Sequence, residues 1–158
     1  HCPKVISISA GFENGDVEHY RKLERMYQRA PCNERRDVTV SITDEGAAEV
    51  HLDVDSDDHH AAGGVHGENY FKALDDATFF AANSIVEDVF VVTTDFHLQL
   101  TRPVTDGTLH ATATVVNDHP KQLIADGVLY DEEGTQLARG TGTFARSNVE
   151  LSEEMGYR

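Results

Sequence analysis

The stretch Gly63-Gly64-Val65-His66-Gly67-Glu68-Asn69-Tyr70-Phe71-Lys72-Ala73-Leu74-Asp75-Asp76-Ala77-Thr78-Phe79-Phe80-Ala81-Ala82-Asn83-Ser84 decides the fold. A glycine-rich loop runs into a segment, residues 67–84, that reads as a helix. Tyr70, Phe71, Ala73, Leu74, Ala77, Phe79, Phe80, Ala81 and Ala82 cover most of its circumference. A helix that is apolar nearly all round is buried, not laid on a surface.

The flanks show what buries it. Upstream, residues 16–30 read as an amphipathic helix, with Val17, Tyr20, Leu23, Tyr27 and Ala30 on one face and Met26 beside them. Asp16 is the expected N-cap and Pro31 the stop. Two alternating runs follow: Val38, Val40 and Ile42, then Ala48, Val50, Leu52 and Val54. Asp44-Glu45-Gly46 between them signals a hairpin. Downstream, strands are expected near 89–101, 107–117, 121–130 and 135–145, with turns at Asp106-Gly107 and Asp131-Glu132-Glu133-Gly134. The order predicts an α+β fold: an antiparallel sheet wrapped around one central buried helix, with an N-terminal helix. We read a single domain over 16–147, an N-terminal extension at 1–15, and a polar, loose tail at 148–158.

Composition narrows the function classes. The 158 residues suit one core. Thirteen basic residues against 28 acidic ones give a formal charge of −15, which argues against nucleic acid as a partner. Lys is scarce and Asp outnumbers Glu, a surface that suits a high-salt cytoplasm as well as it suits an ordinary acidic protein. Cys2 and Cys32 are too few for a disulfide framework, so a reducing cytoplasm is the expected location. No apolar run reaches the roughly 18 residues of a membrane span, and Val5 to Ala10 is too short and polar for a signal-peptide core.

Chemistry concentrates on the buried helix. Its first turn offers free N–H groups and the positive end of the helix dipole, suited to an oxygen that becomes an oxyanion. Glycines there also fit a plain loop-to-helix turn. Two turns on, Asp75 and Asp76 sit about 100° apart around the axis, so they do not share one role. Asp76 has Lys72 one turn earlier as an ion-pair partner. The stripe through Asp75 holds Phe71, Thr78 and Ala82 and no cation, so Asp75 needs a function or a neighbouring strand to justify its place. Gly67 and Asp75 lie eight residues apart, about 12 Å along the axis. One reacting carbon cannot touch both within one chain. If both act on one substrate, the site spans two subunits.

The run His66 to Ala77 resembles the signature of PaaI-like hotdog thioesterases: His-Gly-Gly, then Leu-x-Asp-x-Ala or a close variant, the acid nine residues after the His. Ala81-Ala82-Asn83-Ser84 continues the match, Thr101-Arg102-Pro103 resembles the family's strand end, and Arg139-Gly140-Thr141-Gly142-Thr143-Phe144 its closing strand. The likeness spans about Tyr20 to Arg146. It implies a hotdog fold, a homodimer or homotetramer, and hydrolysis of an acyl-CoA or acyl-carrier thioester without metal or organic cofactor. The family's carboxylate falls on Asp75, as base or nucleophile, its oxyanion donor on the Gly67 N–H, and its water-placing hydroxyl on Thr93.

Two positions depart from the family pattern. Glu68 replaces the second glycine, with Lys72 at pairing distance along the helix, and His60 stands where relatives carry Asn. We assign substrate contacts to His60, His66, Glu68 and Asn83. Arg102, Arg139 and Arg146, with Lys121, are the expected partners of the CoA phosphates. Other clusters read more simply. Asp55, Asp57, Asp58, His59 and His60 suit a solvated loop better than a metal site, because consecutive residues do not converge on one ion. Cys32 reads as a small buried residue, and His97 and His110 fill strand positions. Tyr20, Tyr27, Phe71, Phe79 and Phe80 suit either an acyl pocket or the core. A non-catalytic acyl-CoA-binding module and a hotdog hydratase or dehydratase are the alternatives.

Overall fold

The structure is a computed structural model that describes residues 10–158, with side chains from Asp16 onward. Cys2 and the Val5 to Ser9 run lie outside the described residues. The elements are α1 (Ala10–Arg29), β1 (Val38–Asp44), β2 (Ala47–Val54), α2 (Gly67–Asn83), β3 (Val89–Leu100), β4 (Gly107–His119), β5 (Gln122–Tyr130) and β6 (Gln136–Glu150). The six strands form one sheet in the order β1-β2-β4-β5-β6-β3, with every neighbouring pair antiparallel.

Helix α2 lies in the curve of this sheet against β2, β3, β4 and β5. Ala73, Leu74, Ala77 and Ala81 are fully buried. They meet Val50, Leu52, Leu109, Ala111 and Leu129 from alternate positions of the strands. The helix approaches β5 closely because Gly127 has no side chain. A Cβ there would stand 3.0 Å from Leu74 Cδ2. This is the hotdog arrangement the sequence leads one to expect. Among the described residues no helix is long and apolar enough to cross a membrane.

Several details differ from expectation. Helix α1 starts at Ala10, so Asp16 lies inside it and is not its N-cap. Its inner face carries His19, Tyr20, Leu23, Met26 and Tyr27, while Val17 is 44% exposed. His19 is buried because both ring nitrogens find partners: Nδ1 meets the Tyr157 hydroxyl at 2.7 Å and Nε2 the Asn83 carbonyl at 2.9 Å. The C-terminal tail is not loose. Strand β6 runs on to Glu150, and Leu151, Met155 and Tyr157 pack onto the core. A left-handed Gly156 (φ 97°) turns the chain against α1, where a Cβ would sit 3.3 Å from Met26 Cα.

Strand β3 forms one edge of the sheet, and it changes phase midway. A bulge between Thr93 and Asp95 breaks its register with β6. Before the bulge, Val91 and Thr93 face α2. After it, Phe96 and Leu98 pack onto the core and Leu100 reaches Gly67. Phe96 fits because Gly140 lies beneath it. A Cβ at that glycine would meet the ring at 2.6 Å.

Candidate active site

One stripe of α2, at residues 67, 71, 75 and 79, runs antiparallel alongside the edge strand β3. Gly67 lies beside Leu100, with the Leu Cδ1 3.1 Å from where a glycine Cβ would be. Phe71 meets Phe96 edge to face at 5.1 Å. Asp75 meets Thr93, whose hydroxyl donates to Asp75 Oδ1 at 3.0 Å. Phe79 meets Phe90 at 5.0 Å. The bulge brings Thr93 and Phe96 onto the same face, as such irregularities do beside functional sites.

Asp75 is half-buried, and burial raises its carboxyl from the usual 3.8 to about 6. The Thr93 hydrogen bond opposes that rise, Asp76 adds to it, and Lys72 opposes it weakly. Asp76, one residue on, has a different setting. Its Oδ2 accepts from the Tyr27 hydroxyl at 2.6 Å and from Lys72 Nζ at 3.0 Å. Lys72 also donates to Asn33 Oδ1 at 2.7 Å. Burial and the Asp76 carboxylate push the Tyr27 phenol far upward, so it remains a donor. Asp76 thus has a hydrogen-bond donor and an ion-pair partner, while Asp75 meets one hydroxyl and an opening.

At the other end, His66 is the N-cap of α2. Its Nδ1 accepts from the Glu68 N–H at 3.0 Å, and its carbonyl accepts from the Asn69 N–H at 3.0 Å. Among the described residues, nothing accepts from the Gly67 N–H. The first turn therefore has one free donor, at the positive end of the dipole. Upstream, His60 shapes the entering loop: its N–H donates to Gly64 O at 2.8 Å, and its Nδ1 accepts from the Ala62 N–H at 3.1 Å.

Other expected site residues lie elsewhere. Asn83 is fully buried and its amide is occupied, donating to Val86 O and Val89 O and accepting from the Val91 N–H. It joins α2 to β3 and has no group left for a substrate. Glu68 does not pair with Lys72, which turns to Asp76 and Asn33; it lies exposed, 3.9 Å from His66. Arg102, Arg139, Arg146 and Lys121 are exposed but form no single patch. Arg102 follows β3 at its Gly67 end, and its carbonyl accepts from the Tyr70 hydroxyl at 2.8 Å. Arg139 and Arg146 are seven residues apart on β6, about 23 Å along a strand, and Arg146 holds the His119 and Pro120 carbonyls.

Cys32 is exposed, contrary to expectation, because the turn Pro31–Asn33 buries Asn33 instead. In the Asp55 to His60 cluster, Asp55 and Asp58 close a capping box, Asp58 also pairs with Arg36, and His59 Nε2 meets Thr105 O at 2.7 Å. His110 stacks on His51 at 4.3 Å. The bulge that delivers Thr93 was missed because Val89, Phe90, Val91 and Val92 are all apolar, so no alternation marks a phase before Phe96, Leu98 and Leu100 set one.

Residues 62–138 match the family model of the thioesterase superfamily. Among solved structures, the PaaI protein of the Escherichia coli phenylacetic acid degradation operon superposes with a TM-score of 0.78 at 22% identity, covering 87% of this chain and 99% of its own. A conserved protein of Pseudomonas aeruginosa gives 0.71 at 25% identity, covering 78% and 98%. A thioesterase of Haemophilus influenzae gives 0.71 at 20%, covering 79% and 88%. At such low identity the likeness establishes the fold. Comparison with curated protein sequences gives no match.

Proposed function

On a hotdog fold whose residues 62–138 carry the thioesterase-superfamily pattern, we propose that the chain hydrolyses an acyl-CoA or acyl-carrier thioester at a site shared by two copies. The carrying observation is Asp75: a half-buried carboxylate, raised to about 6, bonded to one hydroxyl and facing an opening. In this reading Asp75 is the general base. Thr93 Oγ1 donates to Oδ1 and leaves Oδ2 free to take a proton from water. The water attacks the thioester carbon, charge gathers on the carbonyl oxygen, and the C–S bond breaks to release thiolate. The free N–H of Gly67 from the second copy receives that charge.

The pairing supports a specific dimer. Strand β3 offers a 12-residue free edge. Gly67 sits level with Leu100, and Asp75 with Thr93. Joining two β3 edges antiparallel so that Leu100 opposes Thr93 brings each Gly67 to the other chain's Asp75, with the two-fold axis close to Phe96 and His97.

Two variants test the arrangement. Asp75→Asn removes the base. Gly67→Pro removes the N–H at a position where a helix tolerates proline, since His66 is already extended (φ −63°, ψ 140°) as a residue before proline must be, and its added Cβ requires the Leu100 side-chain end, 3.1 Å away, to shift slightly. Each variant alone should be nearly inactive. Mixed by co-refolding, they should recover about a quarter of wild-type turnover, because half the random dimers hold one intact site. No recovery, or a monomeric wild type, overturns the shared site. Undiminished hydrolysis by Asp75→Asn removes Asp75 from the reaction. A single turnover in heavy-oxygen water then separates base from nucleophile: label goes into the released acid for a base and into the Asp75 carboxylate for a nucleophile.

A further inference from the structure

Beside Asp75 lies a cavity of about 840 Å³. That size lies within the range of small-molecule sites, roughly 300–1,000 Å³. A row of rings lines it: Tyr27 on Phe80 at 5.0 Å, Phe80 on Phe79 at 4.9 Å, and Phe79 on Phe90 at 5.0 Å. Met26 of α1 and Met155 of the C-terminal tail also contribute to its wall. Asp75 and Thr93 belong to the same wall.

The tail is held there by several contacts. The Leu151 N–H donates to Asp88 O at 3.0 Å, Tyr157 bonds His19, Lys22 Nζ stands 5.4 Å from the Tyr157 ring centre, and Arg25 holds the Arg158 carbonyl. The Glu153–Met155 turn and Gly156 are thereby fixed against α1.

Resting on the thioesterase reading, we propose that this cavity receives the acyl group of the substrate, and that Met155 of the C-terminal tail sets the acyl length it accepts. The occupant follows from the chemistry of the walls. Four carboxylates, Asp75, Asp76, Glu153 and Glu154, line the cavity against two guanidinium groups, Arg29 and Arg158. The phosphates of CoA are disfavoured there, and so is an acyl group with a terminal carboxylate. An uncharged apolar chain is favoured by the rings and the two methionines. Its thioester end then lies at Asp75, and the CoA moiety leads out past the second copy's Gly67. Met155 is a flexible side chain on a segment outside the sheet and both helices, so its volume changes the cavity without disturbing the catalytic groups.

The test uses the full-length protein with Met155→Ala and Met155→Trp. Wild type and both variants are assayed against straight-chain acyl-CoAs of increasing length. Each is also assayed for binding of the free carboxylic acids by displacement of a fluorescent fatty-acid analogue. The chain has no tryptophan, so the indole of Met155→Trp also reports occupancy through its own emission. Met155→Ala should raise kcat/KM for the longest esters relative to the shortest by about tenfold, and Met155→Trp should lower it by a similar factor. Free-acid binding should follow the same order. Hydrolysis with one length profile in all three proteins overturns the acyl cavity and leaves the thioesterase reading standing. Length-graded acid binding that moves with Met155, without hydrolysis of any ester, keeps the cavity and overturns the thioesterase reading. Neither hydrolysis nor binding overturns both.

Discussion

Asp75 and Asp76 are neighbours on one helix with the same side chain, yet they face different worlds. Asp76 turns toward α1, where Tyr27 and Lys72 both bond one carboxylate oxygen. Asp75 turns toward the sheet edge, where one threonine hydroxyl meets it and burial raises it to about 6. The first carboxylate ties α2 to Tyr27 of α1 and contributes to the fold. The second has a raised proton affinity and an open side, which suits a base working near neutral pH. A rotation of about 100° around the helix separates the two settings.

The sharpest way to break this contrast is to neutralise each aspartate in turn. Asp75→Asn should lower kcat by about 10²–10⁴-fold in a steady-state thioester assay. Asp76→Asn should leave kcat within a few-fold. If Asp76→Asn is the more damaging, the roles are reversed.

The pH dependence gives the next effect in size. With Asp75 as the proposed base, kcat/KM should rise through about pH 6 and then level. Thr93→Val removes the hydroxyl that opposes the upward shift. The midpoint should then move to higher pH, with the plateau reduced about tenfold. An unchanged midpoint would separate Thr93 from the titrating group.

Stability should respond in the opposite sense to activity. Asp76→Asn takes the anion from Lys72 and Tyr27 and should cost about 1–3 kcal/mol in urea unfolding at neutral pH. Asp75 has a folded value above its unfolded one. Its unfolded form ionises first as pH rises from about 4, so its charge opposes folding increasingly up to about pH 6 and fully above it. The rise from 3.8 to about 6 sets an upper bound of about 3 kcal/mol. Asp75→Asn should therefore be more stable than wild type at pH 7, by about 1–2 kcal/mol after allowance for partial exposure, and equal to it near pH 3. A destabilised Asp75→Asn at pH 7 would show that the carboxylate serves the fold.

Much of this was legible beforehand because it rests on local periodicity. The central helix, expected over 67–84, spans Gly67–Asn83. The four later strands begin at or next to the expected positions, since alternation and turn residues mark them, although β6 runs on past its expected end to Glu150. The Lys72–Asp76 pair followed from helical spacing. Asn83 was misread because a polar residue near a motif looks available until three backbone groups are found around its amide. The tail looked loose because its apolar residues Leu151, Met155 and Tyr157 are sparse. Their docking depends on α1 and His19, more than a hundred residues away in the chain.

By itself the sequence determined the elements, the burial of α2, the different faces of its adjacent aspartates, and the gap of about 12 Å between Gly67 and Asp75 along one helix. Those follow from helix and strand geometry, which is local. Only the tertiary structure decided that a bulge would present Thr93 to Asp75, that the Gly67 N–H would stay free beside Leu100, and that the tail would wall a cavity at the carboxylate. Each of these depends on which distant segment packs against which, and on the volume left between them, and neither is written in the spacing of residues along one chain.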